Sequence, residues 1–378
     1  MQLVPGERTP STAPRARERR GRGVVPVLLA LLAVFVVLGA VEQCGGPGAF
    51  GTRTLQTVPA PPPPPPPPPL DPVAVGATVN PVLANIDVSL EPLGLEGAGT
   101  GIVLTPDGQV LTSHHVVKGA ETIAVTDVGT SETFDATVLG YDASRDIALL
   151  QLEGAAGLPV ARIGDSKAVR IGHQVMAIGN AGGAGGIPTG VLGKVTNLDQ
   201  SIVARNEADY SRKSIDGLIE VEAEVSAGQS GGSLVDWSGA VVGVVTAASG
   251  EVARELHQPT NGYAVPIADA MAIVTQIRSG VPSDTVHIGR TAELGVMISN
   301  APGGAKVDVT FYGSAAYRAG IPDGAVITAA NGRPVGSTDD LRKVITRAQP
   351  GEMLDLGWID GAGMLRRTTL ELDEGPPN

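Results

Sequence analysis

A serine set among glycines, a histidine pair and an aspartate define the chemistry open to this chain. The stretch Val225 to Val235, VSAGQSGGSLV, places Ser230 in a run that reads strand, tight turn, strand. Gly228, Gly231 and Gly232 permit backbone angles that a side chain forbids. A chain bent there can present the serine hydroxyl outward and aim its own N–H groups at one point. An oxyanion hole requires that arrangement, with fixed donors where negative charge develops in acyl transfer. A glycine- and serine-rich hairpin turn is the plainer reading of the same residues. Upstream, His114 and His115 stand at the end of a predicted strand. Adjacent strand positions face opposite ways, and no neighbouring carboxylate or cysteine completes a cluster, so no metal site is predicted. Asp146 opens the apolar run IALLQL, where an aspartate is also an ordinary turn or strand-start residue. Together a histidine, an aspartate and a serine, in that order and each at a strand edge, fit nucleophilic acyl transfer.

The elements that must hold these residues are short and β-like. TGIVLT, GQVLTS, TIAVTDV, DATVLGY and DIALLQL follow one another between glycine turns, the rhythm of an all-β barrel or sandwich. Pro106-Asp107-Gly108 supplies a hairpin turn between the first two. The segment Ala181 to Gly186, AGGAGG, lacks the lysine and hydroxyl residue of a phosphate-cradling loop and reads as a plain loop. Asp199 to Asp216 is polar and charged and is expected to be a surface loop. Ile267, Met271, Val274 and Ile277 recur at helical spacing, so residues 267–278 should form a helix packed on the β domain. A second folded segment, about 284–374, contains five or six strand-like runs and one helical stretch, DDLRKVITRA.

The N-terminal part has a different character. Six arginines against Glu7 and Glu18 give residues 1–22 a charge of +4, whereas the whole chain carries −12. Residues 23–41 form an uncharged apolar run long enough to cross a bilayer, and the flanking arginines put its N-terminal side in the cytoplasm. A cleaved signal peptide is the competing reading, but no A-x-A site precedes a plausible cut. Residues 42–71 include nine consecutive prolines, Pro61 to Pro69, which extend as a polyproline II spacer of roughly 28 Å. The acidic remainder argues against nucleic-acid binding. The lone Cys44 excludes an internal disulfide framework and a cysteine zinc site.

The segments GAGTGIVLTPDGQVLTSHHVVKGA, SRDIALLQL, GNAGG, EVSAGQSGGSLVD, GAVVGVVT and NGYAVPI resemble the HtrA (DegP-like) family of serine proteases. The resemblance runs over about residues 75–372. It implies a mainly β, chymotrypsin-like double β-barrel protease domain over 72–280 and a PDZ domain over 284–374, preceded by one transmembrane helix. It further implies catalytic His115, rather than His114, with Asp146 and Ser230, oxyanion donors on Gly228 and Ser230, and no cofactor. Ala227 and Ser233 stand where the family commonly has proline. Glu224, six residues before Ser230, takes a position that in the chymotrypsin fold helps floor the pocket for the residue before the cut. Glu220, Glu222 and Glu224 alternate with Val221, Ala223 and Val225, however, and a solvated strand face explains them equally well. In the PDZ-like part, Leu294, Gly295 and Val296 would receive a peptide C-terminus, with the helix around Leu341 and Ile345 lining the groove. Glu293 there replaces a bulky apolar residue.

The expected protein is thus an ATP-independent, membrane-anchored, extracytoplasmic endopeptidase acting on unfolded or signalling proteins. Trimers built through Val73, Val75, Val79 and Val82 are compatible with the family. The alternative of another class is a non-hydrolytic chaperone or adaptor that binds chain ends.

Overall fold

A computed structural model describes residues 68–90, 94–205, 212–248 and 261–377. The apolar run 23–41 and nearly all of the proline-rich segment lie outside the described residues. Among the described residues, no helix is long and apolar enough to cross a membrane.

The described chain opens with helix α1 (Pro72–Val79). Asp71 caps it by accepting from Val73 N and Ala74 N, and Pro72 supplies a preset φ at the first helical position. The helix buries Val75 and Val79 in the core of its own chain and leaves Val73 exposed, while Val82 packs partly buried beside them. Of the four valines considered for contacts between chains, two are therefore already used within the fold.

Strands β1 (Leu83–Leu90), β2 (Leu95–Val103), β3 (Gln109–Thr112), β4 (Thr122–Asp127), β5 (Thr133–Asp142) and β6 (Ile147–Leu152) form the first sheet. Their order is β5-β4-β1-β2-β3-β6, and β5 pairs again with β6, so the sheet closes. Gly108, at φ +90°, makes the turn between β2 and β3. The histidine pair is not on a strand: β3 stops at Thr112, and His114–Val117 form the one-turn helix α2. Strands β7 (Gln174–Gly179), β8 (Thr189–Arg205), β9 (Arg212–Glu222), β10 (Ser233–Val235), β11 (Val241–Ala248) and β12 (Asn261–Pro266) close a second barrel in the order β10-β11-β12-β9-β8-β7. Within the expected loop over 199–216, residues 199–205 and 212–216 are strand, and 206–211 lie outside the described residues. Ile202, Val203, Ala204 and Arg205 pair with Ile215, Ser214, Lys213 and Arg212 in a ribbon that prolongs β8 and β9. One pair, Ile202 opposite Ile215, turns toward the core between the barrels, while Val203 and Ser214 are exposed.

Alternation along the strands explains why the sequence shows near-continuous apolar runs. Ala84, Val103, Val110 and Leu150 fill the first barrel. Their neighbours Leu83, Ile102, Leu111 and Leu149 face the other way and join Met176, Ile178, Val235 and Val244 in a core between the barrels. Helix α3 (Ile267–Arg278) has the expected bounds and adds Ile267, Ala270, Val274 and Ile277 to that core. With both faces of these strands covered, each fully buried Leu or Ile contributes about 1.5–3 kcal/mol, and the two barrels are held as one body.

Strand β13 (Val286–Ile288) adds to β5 of the first sheet, antiparallel, with His287 opposite Tyr141. The chain then builds a separate core. Strands β14 (Thr291–Glu293), β15 (Val296–Ala301) and β16 (Gly304–Thr310) precede the short helix α4 (Ala315–Arg318). Then come β17 (Val326–Ala330), β18 (Arg333–Pro334), helix α5 (Thr338–Arg347), β19 (Met353–Ile359), β20 (Leu365–Glu371) and β21 (Asp373–Gly375). The main sheet runs β15-β16-β17-β19-β20, and β14 pairs with β21. Leu294, Val307, Ile327, Leu341 and Leu356 are buried at its centre. Ser337 caps α5 by accepting from Asp340 N, and Thr338 N donates to Asn300 Oδ1 at the end of β15.

Candidate active site

Pairing of β3 with β6 sets Thr112 opposite Ala148, so the residues just beyond them, His114–His115 and Asp146, meet. Asp146 has φ +57°, an uncommon value for a residue with a Cβ, which aspartate tolerates better than most. Its backbone carbonyl accepts from His114 N at 3.2 Å. Its carboxylate accepts from His115 N at 3.0 Å and lies 2.7 Å from His115 Nδ1. A carboxylate can only accept, so Nδ1 carries the proton and Nε2 presents its lone pair away from Asp146. Asp146 is 2% exposed, whereas the His115 side chain is 39% exposed. The imidazole thus has one anchored edge and one open edge. His114 is buried and stacks on Tyr141, ring centres 4.5 Å apart, which takes it out of the open site.

A third donor to Asp146 comes from the other barrel. Thr246 Oγ1 donates to Asp146 Oδ2 in a close contact. The β11–β12 register passes from Val245↔Ala264 to Ala247↔Tyr263, so Thr246 sits unpaired at a bulge. Bulges redirect side chains, and this one sends a hydroxyl to the aspartate. A buried carboxylate needs such donors to offset its lost hydration. The sequence reading missed Thr246 because a threonine within VVGVVTAA is indistinguishable from an ordinary strand residue.

Ser230 is brought to the same place by bonds across the two barrels. Thr100 N donates to Ser230 O at 2.9 Å, and Thr112 Oγ1 donates to Thr100 O at 2.7 Å. Val245 O accepts from both Gly231 N, at 2.7 Å, and Ser113 Oγ, at 3.0 Å. Gly231 has φ +82°, and a Cβ added there would lie 3.0 Å from Ser113 N. The serine turn therefore abuts the residue that starts the His115 helix.

The turn's N–H groups are fixed through its carbonyls. In a trans peptide the N–H points opposite to the C=O. Ala227 O accepts from Gly182 N at 2.7 Å, so the Gly228 N–H faces away from that loop. Gln229 O accepts from Gly232 N at 3.0 Å, which sets the Ser230 N–H in the same manner. Gly228 itself has φ +84°, and its carbonyl accepts from Thr100 Oγ1 at 2.7 Å. Gln229 is fully buried: its Oε1 accepts from Ser226 N and its Nε2 donates to Thr189 O. Thr100 and Gln229 were also invisible as site residues, because their roles depend on partners 80 to 128 and 3 to 40 residues away. Ala227 and Ser233, the departures in the motif, contribute a carbonyl to Gly182 and a buried position on β10. Glu224 is exposed, whereas its neighbours Ala223 and Val225 are buried in the second barrel.

Leu294 and Gly295 link β14 to β15, which Val296 opens, away from these residues in the second core. Leu294 is buried, and its carbonyl accepts from Ala316 N at 3.0 Å. Gly295, at φ +72°, accepts from Phe311 N at 3.0 Å. Leu341 is buried in that core and Ile345 packs partly buried against it. Glu293 is held above the usual carboxylate range, first by burial and then by the charges of Asp373 and Glu121. Among the described residues, no group of His, Cys, Asp or Glu could hold a metal ion.

Residues 99–244 match the trypsin-like peptidase domain. The chain is 30% identical over 315 residues to the serine protease PepD of Mycobacterium tuberculosis, covering 79% of this chain and 65% of that one. It is 32% identical over 296 residues to the periplasmic serine endoprotease DegP of Escherichia coli, covering 74% and 58%. It thus spans less than two thirds of the length of both. With a putative serine protease HhoA of Synechocystis it shares 30% identity over 289 residues, covering 72% of this chain and 70% of that relative. Two closed six-stranded barrels, the family match within them and relatives of this extent lead to one conclusion: the chain belongs to the HtrA/DegP family of trypsin-like serine proteases.

Proposed function

We propose that the protein is a serine endopeptidase that cleaves unfolded or signalling proteins outside the cytoplasm. The observation that carries this reading is the Asp146 carboxylate, which accepts from His115 N, His115 Nδ1 and Thr246 Oγ1 beside the Ser230 turn. In this reading Ser230 Oγ attacks the scissile carbonyl and His115 Nε2 takes its proton. The Gly228 and Ser230 N–H groups receive the oxyanion. His115 then donates the proton to the leaving amine, and a water repeats the cycle to release the acyl group. Asp146 holds the tautomer and stabilises the imidazolium. No cofactor enters these steps.

The second core acts in this proposal as a PDZ domain over 284–374, with the protease domain over 72–280. A peptide C-terminus adds beside β15, its carboxylate facing the N–H groups of Leu294, Gly295 and Val296. The carbonyl bonds of Leu294 and Gly295 to Ala316 and Phe311 support this, since they turn the following N–H groups the other way. Residues 23–41 anchor the chain as a single transmembrane helix with residues 1–22 in the cytoplasm, and residues 42–71 space the catalytic part from the bilayer. A homotrimer remains part of the proposal, with exposed Val73 the available member of the four valines.

The test compares the full-length chain with Ser230→Ala on an unfolded protein substrate, alongside a serine-reactive phosphonate probe. Cleavage and labelling are expected in wild type and lost together in the variant. A folded wild type that neither cleaves nor labels overturns the enzyme and leaves the non-hydrolytic adaptor as the better account.

A further inference from the structure

Beside Gly228 a cleft of about 730 Å³ opens between the glycine loop at Gly182–Gly183 and the outer face of the first barrel. Its floor is built in register. Val88 turns into the barrel core, so Asp87 and Ser89 face outward. Asp87 lies opposite Ala98 on one side and Ala124 on the other. Ser89 lies opposite Glu96 and Thr122. Small side chains thus leave a channel, and two exposed carboxylates stand along it. Among the described residues, neither Asp87 nor Glu96 pairs with a cation.

The position of the cleft relative to the cut follows from the nucleophile turn. The segment that leads into Ser230, with Ala223 and Val225 buried in the second barrel, is the side that the endopeptidase reading gives to the residue before the cut. The cleft is walled by Ala227 and Gly228 and floored by the first barrel, which also supplies His115. The leaving amine must sit beside His115, so the chain beyond it runs over this floor. A Cβ on Gly228 would lie 2.7 Å from Gly183 N, and one on Gly183 would lie 2.7 Å from the Ala98 side chain. The path therefore passes Gly228, Gly183 and then the Ala98–Asp87 row, with Glu96 one row further, about 7 Å on.

We infer that this cleft is the subsite for the leaving-group side of the substrate, and that Asp87 and Glu96 select lysine or arginine in about the first three residues after the cut. This rests on the endopeptidase reading above. Alternate residues of an extended substrate share a face and stand about 7 Å apart, as the two rows do, so basic residues two positions apart meet both carboxylates at once. Each exposed ion pair is worth up to about five-fold, and a substrate acidic at the same positions meets repulsion instead.

The experiment uses the full-length chain and internally quenched peptides with one common acyl side. The first and third residues after the cut are Lys and Arg, Ala and Ala, or Glu and Glu, with one alanine between them in each peptide. The wild type should cleave the Lys-Arg peptide with a kcat/KM about ten-fold or more above that of the Glu-Glu peptide. The preference should shrink with added salt, and it should fall to within about two-fold in Asp87→Asn/Glu96→Gln. Thermal unfolding establishes that the double variant is folded. Affinities of the same peptides for Ser230→Ala give a second readout that needs no catalysis, and there too the Lys-Arg peptide should bind more tightly until both carboxylates are removed. Cleavage of all three peptides at equal kcat/KM overturns the subsite while the endopeptidase stands. Absence of cleavage by wild type, with the basic preference retained in binding, overturns the endopeptidase while the acidic cleft stands. A basic preference that survives Asp87→Asn/Glu96→Gln also overturns the assignment.

Discussion

Gly228→Ala puts the oxyanion geometry to the sharpest test. Two costs arise. At φ +84° an alanine occupies a region that costs an L-residue roughly 1–2 kcal/mol. The added Cβ also falls 2.7 Å from Gly183 N and closer still to Asn180 O, inside the 3.0 Å that Cβ atoms keep from other atoms. Neither neighbour yields easily, because Asn180 O accepts from Gly183 N at 2.9 Å and Asn180 N donates to Thr100 Oγ1 at 2.8 Å. The 228 peptide must therefore move by several tenths of an ångström or more. Oxyanion donors act within a window of about 2.7–3.1 Å, and loss of one costs about 10²–10³ in kcat. Gly154→Ala is the control: it has φ +73° and no atom near its added Cβ, so it carries the strain without the collision. Turnover of an unfolded protein substrate, phosphonate labelling rate and thermal unfolding would be measured for both. Gly228→Ala should lose at least about 10²-fold in kcat while remaining folded, whereas Gly154→Ala should lose stability with wild-type turnover. Gly228→Ala turning over within about three-fold of wild type would refute the assignment of its N–H as a donor.

Three further outcomes are expected. Asp146→Asn should keep the fold and lose about 10⁴ in kcat, because an amide stabilises the wrong imidazole tautomer; a pH–rate profile and a melting curve check both parts. Thr246→Val removes a hydrogen bond to a buried carboxylate without changing volume much, and should lower stability in urea by about 1.5–3 kcal/mol with a smaller kcat loss than Asp146→Asn. Glu293 is raised in the folded chain, chiefly by burial. The folded state then binds more protons than the unfolded one between the ordinary glutamate pKa and the raised value, so stability falls as pH rises through that window. Glu293→Gln should therefore melt higher than wild type at about pH 7.5, with the difference vanishing below about pH 4; equal melting at both pH values would contradict the buried charge.

Local chemistry wrote much of this protein into its sequence. Helix α3 could be bounded at 267–278 because apolar residues at helical spacing report a single buried face. The turn at Pro106-Asp107-Gly108 and the Ser230 turn were legible because a positive φ at Gly108 and Gly228 calls for glycine, and glycine is visible in a sequence. The order histidine, aspartate, serine suggested acyl transfer from residue types alone, whereas the preference for His115 over His114 came from the family resemblance. The strand residues 199–205 and 212–216 were misread as loop because strands with polar residues and loops share a composition. The strand assigned to the histidine pair gave way to α2, since β3 has partners only as far as Thr112.

Only the tertiary structure decided how the site is held. Asp146 receives Thr246 from a bulge 100 residues away, and Thr100 clamps Gly228 from 128 residues away. Those contacts depend on the register of two barrels packed on a shared core. Register is a property of strand pairing, and a threonine shows nothing of its partner until the strands are paired. The cleft beside Gly228 has the same origin: Asp87 and Glu96 are ordinary exposed acids in the sequence, and pairing of β1 with β2 and β4 aligns them along one channel.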